Sequence, residues 1–342
     1  MSSDVLSFST AHPVTPPSST QVQIKVCAAS VNPIDWQMLE GNRSLLVARS
    51  FPFVPLFDLA GVVVAIGDAV TRFEVGDAVH ADNKNEGGGA SEFANVEQDL
   101  VSLKPGSISF AEAAALPLAA QTALLALEKG GVGEGSRICI IGASGAVGSF
   151  AVQIAKALGA AHVVGVCSEK NGAFVSSLGA DATVDYTTTK LHEAIRDRSV
   201  EVVIDCVGGR DRWLDAQRVL TPGGKFVTIA RDEDGKVTVV SALAMIRAIL
   251  GRQLGSRFGD RIAYIPVFLD ASHRLLDRVD ELVRAEKLRV HIDTRYEFSL
   301  EGITKAFEQS KRGRTVGKSI IEVVHDEMNK SASRVTVKEG AL

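Results

Sequence analysis

Three evenly spaced glycines constrain the fold of this chain more than any other feature. Gly142, Gly145 and Gly148 follow the apolar run RICII and open an apolar segment with helical periodicity, SFAVQIAKALG. A glycine turn between a strand and a helix lets backbone N–H groups and the helix N-terminus receive a pyrophosphate. The spacing G-x-x-G-x-x-G is not the commonest dinucleotide-binding form, so a tight turn without a ligand remains an alternative.

Four apolar runs around this turn predict a parallel sheet. The runs are RICIIG, HVVGVC, VEVVIDC and KFVTIA, and they alternate with segments of helical periodicity such as RDRWLDAQRVL. Strands that are apolar on both faces and alternate with helices are typical of a parallel sheet covered on its two sides. The sequence therefore predicts an α/β domain with a doubly wound parallel sheet in the middle of the chain.

The two ends of the chain show a different pattern. From Val22 to about Phe110, short alternating strands such as VQIKV are separated by Gly-Asp turns, which indicates a β-rich region. Beyond Gly255 follow a strand, RIAYIPVFL, two amphipathic helices and a closing strand, VGKSIIEVV. Residues 325–342 are polar without periodicity and predict a disordered tail. With 342 residues, the chain is long enough for two domains.

Charge, cysteine spacing and hydropathy exclude several classes of protein. A net charge of -4 with dispersed basic residues argues against a nucleic-acid partner. The four cysteines form no C-x-x-C pair, which argues against a disulfide framework or a thiolate metal site and favours a reducing compartment. The first twenty residues contain no Lys or Arg, and no apolar run reaches the length of a membrane span. We therefore expect a cytoplasmic protein without a membrane span.

The end of the strand after the glycine turn indicates which dinucleotide is bound. A carboxylate there would bind a ribose 2′-hydroxyl and repel a 2′-phosphate. This strand ends in VCSEKN, where Ser168 and Lys170 can donate to a phosphate and no acid occupies the strand terminus. NADPH is therefore favoured over NADH. Glu169 would weaken or reverse that preference if its side chain pointed inward, and Lys170 could instead be a solvated charge.

Several separated motifs together resemble one family. In chain order they are ASVNPIDW (29–36), FDLAGVVVAIGDAVTRFEVGDAV (57–79), AAALPLAAQTALLAL (113–127), GASGAVGSFAVQIAKALGA (142–160), LGADATVDY (178–186), DCVGG (205–209) and GRTVGKSII (313–321). On these motifs, residues 22–324 resemble zinc-free members of the medium-chain dehydrogenase/reductase superfamily, in its quinone oxidoreductase-like branch.

The resemblance implies an α/β fold of two domains, a GroES-like β-rich substrate domain and a Rossmann domain with a doubly wound parallel sheet. It implies residues 1–118 as the first part of the substrate domain and residues 119–255 as the NADPH-binding Rossmann domain. Residues 256–324 would return to the substrate domain, and residues 325–342 would form the tail. The substrate cleft would lie between the two domains.

The resemblance also implies which residues hold the cofactor. The pyrophosphate would lie on Ser144, Gly145, Ala146, Val147 and Gly148. Ser168, Lys170 and Tyr186 would surround the 2′-phosphate, and Thr122 would lie near the nicotinamide. The closing segment with Val316, Gly317 and Lys318 would return to the cofactor. For Tyr186 and Lys318, ordinary packing remains an equal alternative.

Two departures from zinc-dependent relatives predict that the chain holds no metal. Asn32 stands where those relatives have a cysteine ligand, and LFD at residues 56–58 stands in place of their Gly-His-Glu. None of the seven histidines forms a pair with metal-ligand spacing. Without a Lewis acid, oxidation of simple alcohols loses the group that stabilises the alkoxide, whereas reduction of an electron-poor acceptor needs less help. Leu56 also replaces a glycine that is usual in the family.

The expected function is NADPH-dependent hydride transfer, without zinc, to a quinone or a conjugated carbonyl. An enoyl thioester or 2-alkenal reductase of the same fold is the alternative, and an NADPH-binding scaffold with little catalysis is the alternative of another class. For the substrate, a small electrophile, the expected contacts are Asn32 as donor to the acceptor oxygen, Asp35 and Phe268. Asp35 could equally cap the following helix. A homodimer would pair through the edge strand RIAYIPVFL.

Overall fold

The computed structural model describes residues 6–10, 13–40, 53–84, 86–196, 198–230, 239–255 and 261–323. The tail predicted at residues 325–342 lies outside these ranges. Two separate β-sheets organise the described chain. The strands are β1 (Gln21–Val31), β2 (Asp58–Ile66), β3 (Ala78–Asp82), β4 (Phe93–Glu97), β5 (Val101–Leu103), β6 (Arg137–Ile141), β7 (His162–Cys167), β8 (Ala182–Asp185), β9 (Val200–Asp205), β10 (Leu220–Thr228), β11 (Ala263–Pro266), β12 (Ile292–Glu297) and β13 (Lys318–Glu322).

Helices connect and cover the strands. They are α1 (Pro33–Leu39), α2 (Phe110–Ala115), α3 (Pro117–Gly130), α4 (Ala146–Ala157), α5 (Gly172–Ser177), α6 (Leu191–Ala194), α7 (Arg210–Val219), α8 (Val239–Gly255), α9 (His273–Arg284) and α10 (Leu300–Lys311). The side chain of Ser299 caps α10 by accepting a hydrogen bond from the N–H of Gly302. None of the helices in the described ranges combines the length and the apolar character needed to cross a bilayer.

The first sheet has seven strands and contains both ends of the described chain. Its order is β12-β13-β1-β2-β3-β5, and β4 pairs with β1 as well. The strands of the N-terminal part run antiparallel, whereas β12 and β13 are parallel to each other. We call this sheet with α1, α2 and α10 the β-rich unit.

The second sheet has six strands, all parallel, in the order β8-β7-β6-β9-β10-β11. Counted from β6, this is the order 3-2-1-4-5-6, in which the direction of winding reverses between β6 and β9. The predicted doubly wound parallel sheet is confirmed. Ligands of such sheets bind in the crevice at the carboxyl ends of the strands where the order reverses.

The α/β unit extends further along the chain than the sequence predicts. The predicted boundary at residue 255 is wrong, because β11 lies in the parallel sheet beside β10. In addition, Leu276 and Val279 on α9 belong to the same buried cluster as α3 and α4. A short strand with a one-sided apolar pattern does not show on sequence alone which of two sheets it joins.

The helices α3, α4 and α9 share one buried cluster with the parallel sheet, and a second buried cluster contains three aromatic side chains. Trp213 on α7 makes edge contacts with Phe226 and Tyr264, with ring centroids 5.3 and 5.2 Å apart. Phe226 and Tyr264 stack at 5.6 Å and stand on neighbouring strands in register. These contacts pack α7 onto the end of the sheet that β11 completes.

Leu56 occupies the position where the family usually has glycine, and its backbone keeps the conformation that a glycine favours. Its φ is +69°, in the left-handed region, which is strained for a residue with a branched side chain. The side chain is fully buried and packs in a cluster with Ile303 and Phe307 of α10. Packing against α10 therefore stabilises a strained backbone directly before Phe57 and Asp58.

A buried histidine joins the two units. His80 on β3 and Asp280 on α9 are both fully buried, and Nε2 of the ring lies 3.0 Å from Oδ2 of the carboxyl group. The Nδ1 atom lies 3.0 Å from the carbonyl oxygen of Ala113, which can only accept, so Nδ1 carries a proton. The Nε2 atom and Oδ2 of Asp280 form the second hydrogen bond of the ring. This pair therefore fixes α9 against the β-rich unit.

Removing the carboxyl group of this pair will destabilise the protein strongly. Asp280→Ala leaves a buried imidazole ring without its partner, and we expect the free energy of unfolding to fall by about 3–5 kcal/mol in urea titrations. Asp277→Ala on the same helix is the matched control. Asp277 is half exposed and faces His273 and Arg72, so its loss will cost less than ~1 kcal/mol. Equal losses in the two variants would contradict this account of the interface.

Candidate cofactor site

The glycine turn lies between β6 and α4, at the carboxyl end of the parallel sheet. The N–H groups of Gly142 and Ala143 both donate to the carbonyl oxygen of Val166 on β7. A Cβ atom placed on Gly148 would lie 2.1 Å from the carbonyl oxygen of Gly142. Because glycine has no side chain, α4 can start directly against the turn.

The first turn of α4, the loop after β9 and the closing segment at Gly317 border one region, which we call the cofactor groove. Ser144, Gly145, Ala146 and Val147 are half-buried, and the first N–H groups of a helix have no partner within it. These N–H groups and the positive end of the helix dipole suit a pyrophosphate. The structure therefore brings the residues predicted for the pyrophosphate together at one helix N-terminus.

The closing segment of the chain returns to this turn. The N–H of Gly317 donates to the carbonyl oxygen of Ser144 at 3.0 Å, and Gly317 forms a single bridge with Gly145. Gly317 has a φ of +73°, and a Cβ atom there would lie 2.3 Å from the carbonyl oxygen of His291. Gly317 thus lies beside the glycine turn. This is where the β-rich unit contacts the site. The predicted contacts of Val316 and Gly317 with the cofactor stay predictions.

The residues predicted for the adenosine phosphate lie at the ends of two neighbouring strands. Cys167 on β7 pairs with Asp185 on β8, so Ser168 and Tyr186 leave adjacent strand ends. Lys170 is exposed, and the Tyr186 side chain is 61% exposed. Their predicted contacts with a phosphate stay predictions.

Asn171 belongs to the site and was missed by the sequence analysis. Its Nδ2 atom donates to Oγ of Ser144 at 3.1 Å, which ties the loop after β7 to the glycine turn. An Asn four positions after the end of a strand carries no motif of its own. Only the return of that loop across the turn shows its role.

The loop after β9 forms the other side of the groove. Asp205 is buried and accepts hydrogen bonds from the N–H groups of Val207 and Gly208 and from the hydroxyl of Thr228. Burial raises the pKa of Asp205, and these donors oppose the rise. A Cβ on Gly142 would lie 2.8 Å from Cγ2 of Val207, which is half exposed. The motif DCVGG (205–209) carries part of the resemblance, but no role was predicted for its residues.

The structure says less about the predicted roles of Thr122 and Phe268. Thr122 is buried on α3, and its hydroxyl donates to the carbonyl oxygen of Leu118 at 2.7 Å, so only its lone pairs can serve a ligand. Phe268 follows β11 by two residues, and 70% of its side chain is exposed. Their places near the nicotinamide and the acceptor stay predictions.

The structure contradicts the prediction that Asn32 donates to a substrate. Asn32 is 2% exposed. Its Nδ2 atom donates to Oδ2 of Asp58 at 2.7 Å, and its Oδ1 atom accepts from Nζ of Lys318 at 2.6 Å. The amide is engaged on both sides in the interior, because Asn32 directly precedes α1 and its side chain lies against Asp58 of β2.

Asp35 is a capping residue, the alternative that the sequence left open. Its Oδ2 atom accepts from the N–H of Asn32 at 2.7 Å, and its Oδ1 atom accepts from the N–H of Phe57 at 3.1 Å. The side chain is 1% exposed, so the predicted contact with substrate is contradicted. Burial raises the pKa of Asp35 to about 7, while the Asn32 hydrogen bond opposes the rise.

Lys318 does not face the groove, so its prediction as a cofactor residue is wrong. Its side chain is 1% exposed, and its ammonium group lies among Asn32, Asp58 and the carbonyl oxygen of Val31. Gly317 touches the glycine turn through its backbone. In β13, which begins at the next residue, the side chain of Lys318 points into the β-rich unit instead.

Comparisons with known proteins identify the class. An "Alcohol dehydrogenase GroES-like domain" family model matches residues 18–123, and a "Zinc-binding dehydrogenase" family model matches residues 178–321. The chain is 33% identical to the chloroplast envelope quinone oxidoreductase homolog of Arabidopsis thaliana, over 91% of this chain and 92% of that protein. It is also 33% identical to 2-methylene-furan-3-one reductase of Solanum lycopersicum, over 89% of this chain and 72% of that protein.

Solved structures show the same architecture. The quinone oxidoreductase from Coxiella burnetii superposes with a TM-score of 0.76 at 27% identity, covering 91% of this chain and 93% of that chain. The CurK enoyl reductase superposes with a TM-score of 0.77 at 26% identity, with the same coverage. The chain belongs to the medium-chain dehydrogenase/reductase superfamily, in its quinone oxidoreductase-like branch. The predicted resemblance and the GroES-like and Rossmann units are confirmed, and the protein is an NAD(P)H oxidoreductase of this fold.

The residues present do not fit the zinc ion that one of the matching family models is named for. A catalytic zinc ion takes three protein ligands from Cys, His or carboxylate side chains. The positions compared above carry an amide at Asn32, a phenyl ring at Phe57 and a carboxylate at Asp58, whose oxygens already accept hydrogen bonds. Within the described ranges, no group of three or more His, Cys, Asp or Glu side chains could hold a metal ion.

Gly148→Ala will disrupt the turn itself. The added methyl group would overlap the carbonyl oxygen of Gly142, so α4 must move away from the turn. We expect a lower melting temperature and loss of NADPH binding, measured by the fluorescence of the bound cofactor. Gly133→Ala is the control, because a Cβ there meets no atom within 4 Å. A Gly148→Ala variant that binds NADPH as the wild type does would refute this geometry.

Asp35 gives the stability of the protein a specific pH dependence. Its pKa rises from 3.8 to about 7 on folding, so the folded state holds an extra proton between those pH values. The free energy of unfolding then falls as pH rises through this window, by up to ~4 kcal/mol. Asp35→Asn should lose this part of the slope in urea titrations from pH 4.5 to 7.5. An identical slope in both proteins would show that Asp35 is ionised throughout.

Proposed function

We propose that the protein is an NADPH-dependent reductase that delivers hydride, without zinc, to a quinone or a conjugated carbonyl compound. The observation that carries this proposal is the groove at the glycine turn. It is bounded by the N-terminus of α4, the loop after β9 and the returning peptide at Gly317. A reduced nicotinamide bound in such a groove supplies a hydride. The chain's own part is to bind and orient it.

The end of β7 supports NADPH over NADH. The last residue of β7 is Cys167, a buried thiol, and Ser168 follows it. Glu169 is exposed in a short turn with Lys170, so its carboxylate is not held inward. The acid at the end of β8, Asp185, accepts hydrogen bonds from its own loop, from Thr187 and Thr188. An exposed cation and a hydroxyl after β7, with no acid at the strand end, support a site for a 2′-phosphate.

The names of relatives support the acceptor class. One is named a quinone oxidoreductase homolog, and another is named a reductase of a methylene-furanone, which is a conjugated carbonyl compound. Both acceptors are electron-poor and take hydride without a metal to polarise them. The likeness to the CurK enoyl reductase supports an enoyl thioester or 2-alkenal as the second candidate.

The test is the oxidation of NADPH and of NADH by purified protein, with one quinone and one short enone as acceptors. We expect turnover with NADPH at a kcat/KM at least tenfold above that with NADH, unchanged by a zinc chelator. A preference for NADH would mean that Glu169 reaches the ribose. NADPH binding without turnover on either acceptor would contradict the reductase and favour the scaffold.

Lys170→Ala tests the assignment of the phosphate site. Loss of one charge-assisted hydrogen bond should raise the KM for NADPH about tenfold and leave the KM for NADH within twofold. Lys129→Ala, which removes an exposed lysine at the end of α3, serves as the control. Equal effects on both cofactors would show that Lys170 does not face the 2′-phosphate.

We also propose a homodimer and a cytosolic location. β11 is the last strand of the parallel sheet in the described chain, so its outer edge is available to a second copy. All four cysteines are free, which suits a reducing compartment. Light scattering in solution measures the oligomeric state. Cell fractionation tests the cytosolic location against the chloroplast or mitochondrial location in the names of several relatives.

A further inference from the structure

The β-rich unit contains a buried ion pair next to the cofactor groove. The Nζ atom of Lys318 lies 2.6 Å from Oδ1 of Asn32, 3.3 Å from Oδ2 of Asp58 and 3.3 Å from the carbonyl oxygen of Val31. These three acceptors match the three donors of an ammonium group. Burial lowers the pKa of Lys318, and the charge of Asp58 opposes that fall.

Asp58 connects four segments of the chain. Its Oδ2 atom accepts from the hydroxyl of Ser30 on β1, from the amide of Asn32 before α1 and from Lys318 on β13. Its Oδ1 atom accepts from the N–H of Leu118 in the first turn of α3, at 2.9 Å. Four donors therefore stabilise the carboxylate.

Charge balance shows that Asp58 is the partner of Lys318. Asp82 stands directly opposite Asp58 in the antiparallel pairing of β2 and β3, where two carboxylates would repel each other. Burial, with Asp58 and Asp35 adding to it, raises the pKa of Asp82 well above its ordinary range. The raised pKa favours the protonated form of Asp82, whereas Asp58 has four donors and lies 3.3 Å from Nζ of Lys318.

A buried ion pair is not needed for stability alone. Desolvation of two charges costs about as much as their attraction returns, so apolar residues of the same size often serve stability equally well. What such a pair provides is a fixed direction for the segments that it joins. One of those segments borders the groove, because Lys318 directly follows Gly317. Another is the first turn of α3, where the carbonyl oxygen of Leu118 accepts a hydrogen bond from Thr122, the residue predicted to lie near the nicotinamide.

We propose that Lys318 and Asp58 are positioning residues for the nicotinamide cofactor, which act through Gly317 and the first turn of α3 without touching it. The pair holds β13 at the register in which the N–H of Gly317 meets the carbonyl oxygen of Ser144. It also holds the first turn of α3 against the same carboxylate, through the N–H of Leu118. The carbonyl oxygen of Leu118 in turn accepts a hydrogen bond from the hydroxyl of Thr122, one turn further along the helix. This inference rests on the proposed function, because it assumes that the groove binds NADPH.

The test is the dissociation constant of NADPH for three variants, measured by cofactor fluorescence at 10 °C. Lys318→Met combined with Asp58→Asn removes both charges and leaves neither unpaired. We expect a tenfold weaker affinity with unchanged stoichiometry, and a KM for the acceptor within twofold of the wild type. Asn32→Ser keeps both charges and a good capping residue but breaks the bridge between them, and we expect a threefold loss.

Asp280→Ala is the matched control, because it breaks the other buried pair, which does not border the groove. It should lower stability but keep the NADPH affinity within twofold. Folded Lys318 and Asn32 variants that both bind NADPH within twofold of the wild type would overturn the proposal. The proposal would also be overturned if Asp280→Ala lost as much NADPH affinity as the double variant. A wild-type protein that binds neither NADPH nor NADH would instead refute the proposed function.

Discussion

One backbone hydrogen bond, from the N–H of Gly317 to the carbonyl oxygen of Ser144, brings the two units of this protein together at the cofactor groove. It exists because both partners come unusually close to other backbone. Gly148 allows α4 to start against the turn, and Gly317 allows the closing segment to pass His291. A side chain at either position would separate the helix N-terminus from the β-rich unit.

The interior of the β-rich unit supports this contact with charge. Relatives that hold zinc place metal ligands in the segment that here contains Asn32, Phe57 and Asp58, whereas this chain has a carboxylate, an amide and an ammonium group that satisfy one another. The strained backbone of Leu56, anchored in the packing against α10, leads directly into this cluster. The same region of the fold thus holds the closing segment and the first turn of α3 in place through a buried ion pair and its hydrogen bonds.

Much of the α/β unit could be predicted from the sequence, because β6, β7, β9 and β10 are continuous apolar runs and the glycine turn has a distinctive spacing. The boundary after residue 255 could not, since β11 joins the parallel sheet only through its neighbour β10. At Gly145, Gly148 and Gly317, where backbone alone matters, the structure brings the predicted residues together, and their contacts with a cofactor stay predictions. The side chains of Asn32, Asp35 and Lys318 point into the interior instead, because the direction of a polar side chain depends on partners that are distant in sequence. Asn171 was missed because only the fold shows that its loop returns to the glycine turn, and Val207 because its motif had no assigned role.

Hydrogen exchange with and without NADPH tests the central claim most directly, namely that both units hold the cofactor at one groove. The account predicts that NADPH slows amide exchange in two peptides together, one covering residues 142–148 and one covering residues 313–318. Protection of the glycine turn alone, with no change in the closing segment, would contradict it.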